Sequence, residues 1–161
     1  MFTLKLDKAK SQFFDRQGIL SKVDKATAKI LSKHGANTRT AAQRSIRYRK
    51  AASRPGSPPS AHRTGMRKNK KTGKTQAVSP LRQHIYFAYL PSQQTVYVGP
   101  VLLNGMSGRA LPALEYGGVS AVKSRRGRQF KTVYIRARPF MWPAGRKEEQ
   151  KLNPMWLNSI K

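Results

Sequence analysis

Cysteine is absent from the 161 residues. That excludes a disulfide framework, a thiolate zinc site, an iron–sulfur cluster and a cysteine nucleophile. Carboxylates are almost as scarce: Asp7, Asp15, Asp24, Glu115, Glu148 and Glu149 are the full set, and ninety residues separate Asp24 from Glu115 without one. Glu148 and Glu149 are neighbours on a helical stretch and point different ways, so they make a poor acid–base pair. No run of about 18 apolar residues occurs, so no membrane span is expected. Met1 to Lys10 alternates and is charged instead of carrying an apolar signal core, which predicts a soluble protein made inside the cell. The hydrophobic share is only 38%. A chain of about 150 residues can still bury roughly 70% of its unfolded surface, so one modest core in a single domain spanning 1–161 is the expectation.

What the sequence has in abundance is positive charge. Thirty-three Lys and Arg against six acids give +27. Such a field repels itself and destabilises a compact monomer unless a polyanion or an acidic protein surface accepts it. Nucleic acid is the obvious partner class, because duplex DNA carries about one charge per 1.7 Å.

Periodicity organises the chain. Phe2, Leu4 and Leu6 alternate with polar residues, as in a short strand or arm over 1–10. A helix follows from Ser21, with the start extending toward Ser11, to about Lys50. Ser21 and Asp24 have capping-box-like spacing. Val23, Thr27, Ile30, Leu31, His34, Thr38, Ala41, Ala42 and Ser45 recur on one face, with Lys22, Lys25, Lys29, Lys33, Arg44 and Arg47 opposite. His34 reads as a packed or subunit-contacting residue. Gly18 and Gly35 are candidate bends. From Ser53 the prolines exclude helix, and 53–80 reads as a flexible, extended basic arm. Strands are expected at Leu81–Leu90, Thr95–Val98 and Phe130–Ile135, with an element at Leu111–Tyr116 closed by Gly117-Gly118 and a second basic loop at Lys123–Arg128. Pro143 suits the first turn of a helix that continues through Ala144–Leu152. Trp156, Leu157 and Ile160 mark 153–161 as a short docking segment. The class is α+β: a long N-terminal helix packed on a small antiparallel sheet, with a basic arm and a short C-terminal helix.

Signals for chemistry fail individually. His34, His62 and His84 do not cluster with acids, so no metal ligand set or cofactor is expected. Gly73-Lys74-Thr75 resembles the end of a phosphate loop, but the first glycine of that pattern falls on Lys68. Gly105 to Gly108 lacks the spacing of a nucleophile elbow. Glu115, alone among basic residues, reads as a salt-bridge partner and not as a base. An enzyme is not expected. Zinc-finger, aromatic RNA-binding and helix-turn-helix signatures are missing too. Basic residues contacting phosphate carry no sequence information, so any DNA contact would be nonspecific.

Several segments taken in order carry a resemblance: Phe14-Asp15; Ala42-Gln-Arg-Ser-Ile-Arg47; Ser53-Arg-Pro-Gly-Ser-Pro-Pro-Ser60; Thr64-Gly65; Leu81 to Ile85 running on to Val98-Gly-Pro100; Leu114-Glu-Tyr-Gly-Gly118; and Arg136 to Ala144. Together they resemble the tail-completion, or head–tail joining, proteins of tailed bacteriophages. One departure is a Lys-rich insertion, Arg67 to Ser79, between the Thr-Gly segment and the Leu-Arg strand. The resemblance implies a structural virion protein of viral assembly, located at the neck and present in the host cytoplasm while particles form. It implies a homo-oligomeric ring, a hexamer or dodecamer, between portal, adaptor or stopper proteins and tail-tube or terminator proteins, around packaged double-stranded DNA. A free nonspecific nucleic-acid binder of nucleoid or ribosomal type is the alternative. On the ring reading, Arg63, Arg67, Lys68, Lys70, Lys71 and Lys74, with Lys123, Arg125, Arg126 and Arg128, are expected to contact DNA or acidic partners. Glu115, Tyr116, Arg138, Phe140 and Met141 are expected at subunit contacts. For Glu115 the salt bridge is either between subunits or within one. The Arg138–Met141 turn either joins subunits or pins the last strand to the core.

Overall fold

The long helix, α1, spans Arg16–Ser45. In this computed structural model the described residues are 16–61, 65–68, 73, 75–101, 110–123, 130–157 and 159. The expected strand or arm at 1–10 lies outside them. Thirty residues at 1.5 Å each make α1 a rod of about 45 Å. Its buried positions, Thr27, Ile30, Gly35, Thr38 and Ala42, repeat at three to five residues and trace the expected face. Two details differ from expectation. Ser21 and Asp24 sit inside the helix, and the Asp24 carboxylate instead accepts a hydrogen bond from Gln94 Nε2 at 2.9 Å. The helix also stops five residues before Lys50. Ser45 Oγ donates to the Ala42 carbonyl, Ile46 turns into the core at 1% exposure, and Arg47–Tyr48 becomes a strand.

That strand, β1, pairs in parallel with β2, Ser60–Ala61. The expected arm is therefore corrected over its first part. Gly56 takes a left-handed φ of 78°, a conformation glycine adopts without a Cβ penalty, and its N–H donates to the Ala137 carbonyl. The Ser53 carbonyl accepts from Arg138 Nε at 3.1 Å. Ser53 and Pro59 are buried, and Ala61 joins the core. The prolines exclude helix, as read, but they shape a loop held against the body. In the later part, β3 (Gly65–Lys68) and β4 (Thr75–Val78) pair in antiparallel register.

A single turn, α2 (Pro80–Gln83), leads into the hairpin of β5 (Ile85–Leu90) and β6 (Thr95–Pro100), joined by a 3-10 turn at Pro91–Gln93. Ile85 is fully buried, and Phe87 and Tyr89 share its side while Tyr86, Ala88 and Leu90 face out. Gly35 is where α1 meets this hairpin. A Cβ there would lie 2.6 Å from Val96 Cγ2 and 2.9 Å from Phe87 Cδ2. Its purpose is close approach; the buried stripe runs through it from Thr27 to Ala42. The same seam is locked by polar bonds: Gln43 Nε2 donates to the Arg82 carbonyl and Arg82 Nε to the Gln43 carbonyl, both at 2.9 Å, while Arg39 Nε donates to the Ile85 carbonyl.

The remaining elements are α3 (Ala110–Tyr116), the antiparallel hairpin β7 (Gly118–Lys123) with β8 (Phe130–Ile135), α4 (Met141–Glu149) and α5 (Leu152–Leu157). Pro143 lies in the first turn of α4, which begins three residues before Ala144. In α5, Trp156 is half-buried but Leu157 is 84% exposed, so Leu157 docks on nothing within the described chain. The core gathers Ala42, Ile46, Ala61, Ile85, Phe140 and Ala144. The fold is α+β, with the expected long helix, and its antiparallel pairing is divided among separate two-stranded hairpins.

Candidate assembly and polyanion surfaces

Glu115 sets the geometry of the C-terminal half. Helix α3 ends at Gly117, whose φ of 81° and N–H bond to the Ala113 carbonyl close the last turn. This places the Glu115 side chain beneath the start of α4. Oε2 accepts from the backbone N–H of Phe140 at 2.9 Å and Met141 at 3.1 Å, and Oε1 from that of Trp142 at 2.8 Å. A helix begins with four backbone donors that lack intrahelical partners. One carboxylate satisfies three, and the next residue, Pro143, has no N–H to satisfy. A negative charge at a helix N-terminus is also favoured by the helix dipole.

Within the chain, the expected Glu115 salt bridge is not formed among the described residues. The carboxylate is 9% exposed and committed to backbone donors. Phe140 is likewise turned inward at 1% exposure, and Met141 is half-buried against the core. Arg138 is bound to the Ser53 and Arg136 carbonyls, and its own N–H donates to the Leu114 carbonyl at 2.6 Å. The Arg138–Met141 turn thus pins the last strand to the core. Of the five residues expected at subunit contacts, Tyr116 is the one that stands free, at 80% exposure.

Two further exposed residues were not singled out in the sequence reading. Val119 and Tyr134 face each other across β7 and β8 and are 66% and 69% exposed. The signal was available: alternation in Phe130–Ile135 puts Tyr134 on the face opposite Val133 and Ile135. Each strand of this hairpin has one partner strand among the described residues, and its outer edge pairs with no second strand among them. His34 is half-buried, with Nδ1 enclosed, as a packed residue is.

Of the basic residues expected to meet a polyanion, three are described, and all three lie in strands. Arg67 and Lys68 lie in β3, and Lys68 is opposite Thr75; Lys123 ends β7, opposite Phe130. Lys70, Lys71 and Lys74 follow in sequence between β3 and β4, and Arg125, Arg126 and Arg128 between β7 and β8. These six, with Arg63, lie outside the described residues. Among the described residues there is no group of three side chains suited to hold a metal ion, and no helix long and apolar enough to cross a membrane.

Compared with protein families, with characterised proteins and with solved structures, the chain matches none.

Proposed function

We propose that this chain is a structural protein of a tailed-phage virion, forming an oligomeric ring at the head–tail junction as a tail-completion or head–tail joining component. The observation that supports it most is the combination of a +27 charge with a hairpin, β7–β8, whose strands have no second partner among the described residues, and with the exposed side chains Tyr116, Val119 and Tyr134. Isolated two-stranded hairpins are marginal in water, and free edges invite pairing with other chains. A closed ring with head-to-tail contacts answers both conditions. In this reading these side chains and the hairpin edges meet the next subunit.

The basic stretches 63–74 and 123–128 reach packaged DNA or acidic neighbours in the portal, adaptor, stopper, tail-tube or terminator proteins. Magnitude divides these roles. Six copies bring about 160 positive charges, whereas a channel segment about 40 Å long holds only roughly 24 phosphates. Most of the basic surface therefore faces acidic protein, and DNA takes the remainder without regard to sequence. Neither catalysis nor a cofactor is needed.

Electron microscopy of particles made without the gene tests the proposal. Heads without tails, unfinished tails or leaking heads are expected. Normal infectious particles would overturn it and favour a free nucleoid-type binder.

A further inference from the structure

Two clefts run along one side of α1 and meet at Lys151. The first, about 500 Å³, lies between Asn37, Thr40 and Arg44 of α1 and Lys147 and Glu148 of α4. The second, about 580 Å³, lies between Ala26, Lys29, Ile30 and Lys33 of α1 and Pro154 and Met155 of α5. Lys29, Lys33, Asn37, Thr40 and Arg44 follow one another at three- and four-residue steps, so they form one wall. From Ala26 to Ser45 that wall is about 28 Å long.

Its charge is lopsided. Lys29, Lys33, Arg44, Lys147 and Lys151 line the two clefts, and Glu148 is their one carboxylate. The Glu148 side chain is 6% exposed and held by Lys151 Nζ at 2.7 Å. The other four cations have no ion pair among the described residues. Ala26, Ile30, Pro154 and Met155 give the second cleft an apolar lining.

We propose that this groove docks an acidic, amphipathic segment of a partner protein. Its apolar side rests on Pro154 and Met155, and its carboxylates meet Lys29, Lys33, Arg44 and Lys147. A helix laid in a groove is a recurrent recognition mode, with anchors at helical spacing. Duplex DNA is the poorer occupant, because phosphates over an apolar lining would lose water without gaining partners. The inference rests on the neck reading only for where such a partner stands, and it names the chemistry of the acidic neighbour required there.

The test uses the full chain and three fluorescent probes at physiological salt: a Glu/Leu peptide of about 18 residues with helical spacing, the same peptide with Ser for Leu, and a short DNA duplex. The Glu/Leu peptide is expected to bind about tenfold tighter than its Glu/Ser counterpart, a difference of about 1.4 kcal/mol. The double variant Lys33→Glu with Lys147→Glu, both exposed positions, should weaken the Glu/Leu peptide about tenfold or more and leave duplex binding nearly unchanged. Met155→Ser should erase the preference for Leu over Ser. Circular dichroism confirms that each variant is folded. Equal binding of the two peptides, full retention by the charge-reversed variant, or displacement of the Glu/Leu peptide by duplex would each overturn the proposal. Virion content reads the neck assignment separately: a chain present in particles that ignores the peptide loses the groove alone.

Discussion

Glu115 and Phe140 are where single residues decide the most. With three backbone donors on one carboxylate, Glu115→Ala leaves those donors to find water inside a largely closed site. Unsatisfied buried donors cost about 1–3 kcal/mol each, so a loss of about 3 kcal/mol overall is expected in urea unfolding. Glu115→Gln keeps one acceptor oxygen and should cost about half as much. A loss below about 0.5 kcal/mol for Glu115→Ala, the range of an ordinary surface change, would contradict the capping role. Phe140→Ala should cost about 3–5 kcal/mol by leaving a cavity beside Ala42, Ile46 and Ile85. A subunit-contact residue would instead leave the monomer intact and weaken association. The sequence showed that Glu115 was singular, but not its partners. Backbone N–H groups are the same in every residue, so a carboxylate that binds them leaves no mark of its partner in the side-chain pattern.

At the scale of elements, α1 was legible because a buried stripe repeats over many turns, and the β5–β6 hairpin because alternation and a short turn occur together, whereas β3–β4 and the strand β7 were not read. The misread parts have a common cause. Ser53–Ala61 carries almost no apolar side chain, yet Pro59 and Ala61 are buried and the segment is fastened through its main chain, to the Arg138 side chain and the Ala137 carbonyl. Composition reports apolar burial and is blind to this kind of attachment. The end of α1 was missed for a related reason, since Arg47–Tyr48 is ordinary helix sequence until its distant partner Ser60–Ala61 is present. The seam between α1 and β5–β6 depends on Gly35. Alanine there gains about 1 kcal/mol of helix propensity but pushes on Val96 and Phe87, a clash of about 1–3 kcal/mol. Gly35→Ala should therefore lower the unfolding midpoint modestly. In a double-mutant cycle with Val96→Ala, much of the clash should disappear, giving a coupling of about 1 kcal/mol. Strict additivity would contradict the close-approach argument.

For the molecule as a whole, charge and exposed surface point the same way. A monomer at +27 gains nothing from keeping Tyr116, Val119 and Tyr134 in water, nor from hairpin edges that pair with no second strand among the described residues. Both features become useful when neighbours of two kinds are present: copies of the chain along the hairpin edges, and anions around the rest. Tyr134→Lys should block self-association in sedimentation experiments while leaving the unfolding transition within about 0.5 kcal/mol, because the side chain is exposed. Retained oligomers would move the subunit contact elsewhere. Substituting Lys68, Lys70, Lys71 and Lys74 by Gln should reduce DNA retention and its dependence on salt; unchanged retention would remove the role given to that hairpin.

The most direct measurement of the central claim is the amount of this chain in purified particles before and after a high-salt wash. A neck ring predicts a fixed low copy number per particle that survives the wash, because subunit and partner contacts hold it as well as charge. Loss of the chain at salt that strips simple phosphate binders, or its absence from particles altogether, would contradict the account.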